Sequence, residues 1–168
     1  RRIDAGSAQY QEGDALYTAE RQCPLGIVTA DCVPVFIFVP SVPAAAVIHA
    51  GWRGVREMIV SKTLSSMRRA LDIDITETFA AIGPAIRSCC YEIKDDVARF
   101  FGDHLERRHA RLYLDLPRVI KDELAGLGIA ADRIEDCRVC TSCRADDFFS
   151  FRREGEKTGR LLSLIMLT

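Results

Sequence analysis

The fold of this 168-residue chain is decided by residues 29–54, TADCVPVFIFVPSVPAAAVIHAGWRG. Two apolar runs, at 33–39 and 44–48, flank the turn-forming sequence PSVP, and this pattern is typical of a β-hairpin. If the runs pair antiparallel around that turn, Cys32 and His49 stand directly opposite each other or one diagonal step apart, with Cβ atoms roughly 5 to 8 Å apart. The hairpin therefore brings a thiol and an imidazole together at its open end.

The pairing of Cys32 with His49 allows three interpretations. The two side chains can share a zinc ion, because Zn–S bonds of about 2.3 Å and Zn–N bonds of about 2.0 to 2.1 Å fit such a separation. They can instead form a nucleophile and its general base. The third interpretation is structural, since cysteine is commonly buried and a histidine at a strand end is usually only hydrogen-bonded.

The residues that follow His49 favour a functional interpretation. Gly51 and Gly54 surround Trp52 and Arg53 directly before a helical pattern, and glycine permits tight turns and close approach of the backbone. A helix N-terminus beside a guanidinium group is suited to binding an anion. The sequence therefore predicts an active site in which a metal position adjoins an anion pocket.

Composition and charge indicate a cytoplasmic protein that acts on a small molecule. Apolar residues make up 48% of the chain, which suffices for one substantial core. Because 23 Lys and Arg nearly balance 24 Asp and Glu, nothing favours binding to nucleic acid or to an anionic membrane. Pro34, Pro40 and Pro43 interrupt the longest apolar stretch, which argues against a membrane-spanning helix. Residues 1–10 lack the apolar segment of a secretory signal.

The hydrophobic pattern predicts a single α/β domain over residues 1–168, a sandwich of mixed β-sheets flanked by helices. Helical patterns are expected at 55–71, at 95–101, and in a segment with Pro117 in its first turn and Gly126 or Gly128 at its end. Strands are expected at 15–18, 25–29, 33–39, 44–48, 78–82, 113–114, 133–139, 148–151 and 161–167.

Several motifs give the chain a family resemblance. They are HAGWRGV at 49–55, GDALYT at 13–18, TADCVPVF at 29–36, AIGPAIRSCCYEI at 81–93, CT at 140–141 and FFSFRREGEKTGR at 148–160. Together and in this order they resemble the YfiH-type, laccase-domain family. Members of that family are purine nucleoside phosphorylases with adenosine deaminase and methylthioadenosine phosphorylase activities, formerly described as polyphenol oxidases.

The resemblance implies a zinc ion held by Cys32 and His49, together with a histidine that precedes the DAL motif by a few tens of residues. That position falls before Arg1, so we expect an N-terminal part of the domain to lie outside this sequence. His104 and His109 match no ligand of the family. Copper is the less favoured metal, because two or three N and S ligands without a multicopper histidine pattern suit zinc better.

The resemblance also implies a reaction. The expected substrates are purine nucleosides (adenosine, inosine or methylthioadenosine) and phosphate, with hydrolytic deamination of adenosine as a second activity. Asp31 is the candidate acid/base carboxylate, Cys32 is the metal ligand, and Arg53 is the first candidate for binding phosphate.

Further residues are expected to contact the substrate. A second basic cluster is a candidate for phosphate, Gly83 and Pro84 would let the nucleoside approach the backbone, and two neighbouring polar side chains are candidate ribose or base contacts. The basic cluster is Arg152, Arg153 and Arg160, and the polar pair is Tyr91 and Glu92.

The remaining cysteines are expected to be ordinary reduced thiols. Seven cysteines is an odd number, which argues against a fully paired secreted framework. Cys137, Cys140 and Cys143 have metal-ligand spacing, but no fourth cysteine follows at a cluster spacing, and alternation along a strand would separate their side chains. A second metal is therefore disfavoured.

Three alternatives to the zinc enzyme remain open. In the first, Cys32 is a nucleophile and His49 its base, in a hydrolase that cleaves an amide, for example in editing of peptidoglycan precursors. The second is a copper-dependent polyphenol oxidase, and the third is a fold that has lost its metal and its activity. The sequence does not determine the oligomeric state.

Overall fold

A computed structural model describes residues 1–3 and 13–168 of the chain. The described strands are β1 (Ala15–Thr18), β2 (Leu25–Thr29), β3 (Val33–Val39), β4 (Ala44–Ala50), β5 (Phe79–Ile82), β6 (Glu92–Ile93), β7 (Leu105–Arg108), β8 (Arg111–Leu114), β9 (Ile134–Asp136) and β10 (Leu161–Ile165). The described α-helices are α1 (Trp52–Arg56), α2 (Ile59–Leu71), α3 (Asp95–Ala98), α4 (Leu116–Gly126) and α5 (Phe151–Glu154). Short 3₁₀ turns lie at Ile75–Glu77, Gly102–His104, Ala131–Arg133 and Gly155–Lys157.

The described strands form three sheets, which confirms the predicted mixed α/β domain. The main sheet has the order β1-β4-β3-β5-β9, and only β5 and β9 pair in parallel within it. A two-stranded sheet joins β10 to β2, and a three-stranded sheet has the order β6-β8-β7. Among the described residues no helix is both long enough and apolar enough to cross a membrane.

The hairpin of β3 and β4 lies at the centre of the main sheet. Alternate β4 side chains point to opposite sides: Ala46 and Ile48 belong to the large core that includes α2 and α4, and Val47 packs with Leu25 and Ile27 of β2. Both faces of β4 are therefore covered, which explains its almost uninterrupted apolar sequence.

The register of this hairpin confirms the predicted pairing. Pro34 on β3 is opposite His49 on β4, and Val33 is opposite Ala50. Cys32 precedes Val33 by one residue, so it points to the same face as Pro34 and stands one diagonal step from His49.

The helix predicted at 55–71 is interrupted at Met58, which adopts a left-handed conformation with φ of 56°. The interruption resets the register between α1 and α2. Val55 and Val60 are both buried, although in a continuous helix a separation of five residues would rotate them about 140° apart. The expected single helix is thus two helices, because burying both valines requires the break.

The strand predicted at 148–151 is wrong, since Phe151 begins α5. The side chain of Ser150 accepts a hydrogen bond from the backbone N–H of Arg153 and caps this helix. Phe149 and Phe151 are exposed, so the aromatic residues that suggested a strand do not enter the core.

Other boundaries are shorter than predicted. The helix expected at 95–101 ends at Ala98, and the strand expected at 133–139 ends at Asp136. Arg138 follows with a positive φ of 55°, which no strand residue adopts. The short strands β6 and β7 were not predicted, because β6 has two residues and β7 has the charged sequence LERR.

Candidate active site and a cysteine cluster

Cys32 and His49 meet at the open end of the central hairpin. The imidazole of His49 is hydrogen-bonded to the Cys32 side chain, and its Nδ1 lies 2.8 Å from Oδ1 of Asp14. A Cβ atom at Gly51 would stand 3.2 Å from the Cys32 sulfur, a separation tighter than ordinary contacts. Glycine at this position therefore leaves the sulfur room beside the imidazole.

The pKa of His49 is raised to about 9. The hydrogen bond with Cys32 is the main cause, burial opposes it, and the hydrogen bond with Asp14 adds to the rise. A carboxylate that bonds one ring nitrogen of a histidine fixes the ring and leaves the other nitrogen for a metal ion. The donor set therefore fits two ligands of a zinc site, a sulfur and an Nε2 supported by Asp14.

We expect the substitution Cys32→Ser to lower the His49 pKa towards its ordinary value of about 6.5. Asp14→Asn should lower it by a smaller amount, because the Cys32 hydrogen bond is the larger contribution. NMR titration of the imidazole in metal-free protein measures both shifts. A His49 pKa that is unchanged in Cys32→Ser would contradict the hydrogen-bonded pair.

Asp31 is a buried carboxylate that organises the adjoining loops. Its Oδ1 accepts a hydrogen bond of 2.6 Å from the hydroxyl of Thr141. Its Oδ2 accepts from the hydroxyl of Ser150 at 3.0 Å and from the backbone N–H of Arg152 at 2.6 Å. The residue has a φ of 84°, a region in which Asp and Asn are enriched. Three separate donors therefore hold Asp31 beside Cys32.

The side chain of Tyr91 is close to several of the predicted site residues. Burial raises the pKa of Tyr91 to about 12; nearby Cys32 and Asp31 add to the rise, whereas Arg152 and Arg53 oppose it. These four groups all act on one phenol, so the structure brings them into one neighbourhood. Because this pKa is far above neutrality, the phenol keeps its proton and is available as a hydrogen-bond donor.

The two arginines of this neighbourhood are positioned differently. Arg53 is exposed, and its guanidinium lies 4.6 Å from the centroid of the Trp52 ring. Arg152 donates to the backbone carbonyl of Glu92 at 2.7 Å, and its guanidinium lies 5.2 Å from the centroid of the Tyr91 ring. Since α1 has only five residues, the expected anion pocket depends on these guanidinium groups more than on a helix dipole.

The other two arginines of the predicted basic cluster hold backbone. Arg153 donates to the carbonyl oxygens of Thr141, Ser142 and Phe148. Arg160 donates to the carbonyl oxygens of its neighbours at 158 and 159. The guanidinium groups of Arg153 and Arg160 therefore already have hydrogen-bond partners in the backbone of nearby loops, unlike a group that is free to bind phosphate.

Gly83 and Pro84 follow β5 next to the hairpin. The N–H of Gly83 donates to the carbonyl of Pro34 at 2.9 Å, and a Cβ at Gly83 would come within 2.9 Å of the Pro34 ring. Close packing on β3 thus accounts for the glycine without a ligand. Glu92 forms an ion pair with Arg111 at 2.9 Å, so its carboxylate has a protein partner.

A second group of candidate ligands lies on two neighbouring turns. The sulfur atoms of four cysteines all lie within 4.8 Å of one another, and the cysteines are Cys89, Cys90, Cys140 and Cys143. The Cys143 sulfur lies 3.5 Å from that of Cys89 and 3.4 Å from that of Cys90. Among the described residues, this cysteine cluster is the only group of three or more histidine, cysteine or acidic side chains with such geometry.

The protonation of the cysteine cluster is uneven. Burial tends to raise the pKa of Cys140, but the backbone N–H groups of Arg87 and Cys143 donate to its sulfur, and the net effect is a pKa below the ordinary value. Burial raises the pKa of Cys89, and the neighbouring thiols Cys140 and Cys143 raise it further. The hydrogen bond with Cys90 raises the pKa of Cys143 to about 11.

The cysteine cluster corrects the argument that a strand would separate these side chains. Strand β9 ends at Asp136, and residues 140–144 form a turn in which the N–H of Arg144 donates to the carbonyl of Cys140. Cys137 is exposed and outside the cluster. The ligands that the sequence argument did not consider are Cys89 and Cys90, which lie about 50 residues before Cys140 and Cys143. Two adjacent cysteines together with a C-x₂-C spacing elsewhere in the chain are the signal that could have identified the cluster.

Comparison with known proteins gives matches along the whole chain. The family model described as multi-copper polyphenol oxidoreductase laccase matches residues 1–168. The chain is 36% identical over 178 residues to a purine nucleoside phosphorylase of Bacteroides thetaiotaomicron, an alignment that covers 98% of this chain and 66% of that protein. It is 33% identical over 168 residues to the adenosine deaminase RL5 of an unknown prokaryotic organism, covering 94% of this chain and 63% of that protein.

A solved structure has the same fold. The crystal structure of the hypothetical protein YfiH of Bacillus licheniformis superposes with a TM-score of 0.93 at 30% identity, and the match covers 100% of this chain and 70% of that chain. The chain therefore spans about two thirds of the length of the relatives it matches.

Proposed function

The chain belongs to the multi-copper polyphenol oxidoreductase laccase family, and we propose that it is a zinc-dependent purine nucleoside enzyme. Several of the relatives that it resembles are named purine nucleoside phosphorylases. The proposed reactions are phosphorolysis of adenosine, inosine or methylthioadenosine, and hydrolytic deamination of adenosine. One observation carries the proposal: the Cys32 thiol and the His49 imidazole meet at the mouth of the hairpin, and Asp14 orients the ring.

The proposed metal ligands are Cys32 and His49, with a histidine before Arg1 as the third. Zinc with an open coordination position supplies an activated water at neutral pH. The mixed sulfur and nitrogen donor set suits zinc, and the chain, with three histidines in all, has no multicopper histidine pattern. His104 bonds to Asp122 at 3.1 Å, and His109 lies in the turn between β7 and β8, so neither is proposed as a ligand.

The proposed substrate pocket surrounds the phenol of Tyr91. Its protonated hydroxyl is suited to donate to a ribose oxygen or a purine nitrogen. Arg53 and Arg152 are proposed to bind phosphate, because their guanidinium groups act on the same phenol and Arg53 is exposed. Gly83 and Pro84 are proposed to border the pocket on the β5 side.

Asp31 is proposed to contribute mainly by holding the loops that carry Thr141 and Arg152, rather than by exchanging protons with the substrate. An acid/base carboxylate needs an oxygen that reaches the substrate, and both oxygens of Asp31 already accept hydrogen bonds. Arg153 and Arg160 are proposed to hold the loop at 148–160 in place, and Glu92 remains a candidate contact through its backbone, whose carbonyl binds Arg152.

Arg53→Ala is expected to raise the KM for phosphate about tenfold or more, since one charge-assisted hydrogen bond contributes roughly 1.5 to 3 kcal/mol. Deamination consumes no phosphate and should slow much less. Steady-state kinetics of both reactions measure the difference, with Arg56→Ala on the same short helix as the matched control. Equal losses in the two reactions would show that Arg53 does not act on phosphate.

The proposed function is tested by incubating the protein with adenosine in the presence and absence of phosphate and separating the products. Adenine that forms only with phosphate indicates phosphorolysis, inosine indicates deamination, and hypoxanthine indicates both in sequence. The proposal predicts inosine with or without phosphate, and adenine and hypoxanthine only when phosphate is present. Recovery of unchanged adenosine from zinc-loaded protein would refute it.

A cysteine hydrolase is the second candidate, because Cys32, His49 and Asp14 are linked in the order of nucleophile, base and orienting carboxylate. The two candidates differ in the reactivity of Cys32 towards iodoacetamide. Bound zinc should protect the thiol until a chelator removes the ion, whereas an activated nucleophile reacts fast whether or not a chelator is present.

A further inference from the structure

We propose that Cys89, Cys90, Cys140 and Cys143 bind one zinc ion as a closed structural site, separate from the pair formed by Cys32 and His49. An ideal tetrahedron of four thiolates around zinc has sulfur–sulfur edges of about 3.8 Å, because the Zn–S bond is about 2.3 Å. The four sulfur atoms lie within 4.8 Å of one another, with two separations of 3.4 and 3.5 Å. Small side-chain movements bring them to that tetrahedron.

The backbone holds the four cysteines on two turns that are hydrogen-bonded to each other. Cys140 and Cys143 have the C-x₂-C spacing of zinc sites, and the N–H groups of Arg87 and Cys143 donate to the Cys140 sulfur, as outer hydrogen bonds do around ligating thiolates. The two turns are joined by backbone bonds: Ala85 donates to Val139 and Thr141 donates to Ala85, both at 3.2 Å. The ligands are therefore prepositioned on two turns that already pair.

A single ion explains the cluster better than a disulfide does. The Cys143 sulfur lies close to the sulfurs of both Cys89 and Cys90, so a disulfide from Cys143 to either one would use only two of the four convergent sulfurs. The four thiolates of an iron–sulfur cluster are divided among two or four irons, so they do not all converge on the position of a single ion. Four convergent thiolates favour tetrahedral zinc.

The site would connect the two turns to the proposed active site. Thr141 follows Cys140 and donates to Asp31 at 2.6 Å, while Tyr91 follows Cys90 and lies near Cys32. An ion bound by Cys89, Cys90, Cys140 and Cys143 therefore restrains the positions of Tyr91 and Thr141. It also closes a loop of about 50 residues, which disfavours the unfolded chain.

Zinc content of the chain, purified under reducing conditions, tests this proposal. We expect Cys143→Ser to lose one zinc per chain relative to wild type, and Cys140→Ser to do the same. Cys137→Ser is the matched control: it lies in the same sequence run but outside the cluster, and it should keep the zinc. The double variant Cys32→Ser/His49→Ala should also keep one zinc per chain, a result that does not depend on the proposed function.

A second measurement needs no substitution. Alkylation of the wild-type chain followed by peptide mapping should show Cys89 and Cys143 protected by added zinc, although both are exposed, while Cys137 reacts in the same sample. Equal labelling of Cys137 and Cys143 in the presence of zinc would overturn the proposal. So would wild-type zinc content in Cys143→Ser, or copper in place of zinc at one ion per chain in the double variant.

Discussion

Cys32→Ala is expected to lose the zinc of the hairpin site and more than about 100-fold of both phosphorolysis and deamination, while the protein stays folded. His49→Ala should have the same effect. Loss of a supporting residue outside the coordination sphere alone costs about 10- to 100-fold in metal affinity or activity, and these two side chains are the proposed ligands themselves. Activity assays together with zinc analysis check the result.

The control for this prediction is Cys137→Ala, because that thiol is exposed and lies outside both proposed metal sites. Circular dichroism should show the wild-type fold in all three variants, since Cys32 and His49 are only partly buried. Turnover at the wild-type rate in Cys32→Ala or in His49→Ala would refute the assignment of these residues.

Asp31→Ala is expected to destabilise the fold by about 3 to 5 kcal/mol. The substitution leaves the hydroxyls of Thr141 and Ser150 and the N–H of Arg152 without their acceptor. Each buried donor without a partner costs roughly 1 to 3 kcal/mol, and alanine is also disfavoured at the φ of 84° that this residue adopts. Urea denaturation measures the change in the free energy of unfolding.

Asp31→Asn is the matched variant for this experiment. Asparagine tolerates the left-handed backbone and keeps one acceptor oxygen, so the loss should be smaller than in Asp31→Ala. A loss below about 1 kcal/mol in Asp31→Ala would show that the three hydrogen bonds do not hold the loops together.

The hairpin could be predicted from the sequence because its signals are local. The PSVP turn and the apolar runs determine the register, which places Pro34 opposite His49 and Cys32 one step away. The family resemblance then identified the same pair, through motifs that run in order from Gly13 to Arg160. These features depend on neighbours in sequence, which pattern analysis captures well.

The cysteine cluster and the break at Met58 could not be predicted in the same way. The cluster joins Cys89 and Cys90 to Cys140 and Cys143, and only the tertiary fold brings residues about 50 positions apart together. The break at Met58 has no glycine or proline to mark it. The break lets Val55 and Val60 both face the core, and only the packing of the folded chain shows that both do.

The loop at 148–160 shows a third limit. Its aromatic residues suggested a strand, but Ser150 caps a short helix while its hydroxyl also donates to Asp31. Ser150 therefore favours a helix start over a strand, and its side chain is held in place by the buried carboxylate of Asp31, 119 residues away in sequence. Local propensity alone does not contain that information.

Anomalous diffraction at the zinc absorption edge, from crystals of zinc-loaded wild-type protein, tests the central claim most directly. The account predicts a peak about 2.3 Å from the sulfur of Cys32 and about 2.0 to 2.1 Å from Nε2 of His49, with Asp14 on the opposite ring nitrogen. Crystals that carry zinc elsewhere but show no peak between Cys32 and His49 would contradict it.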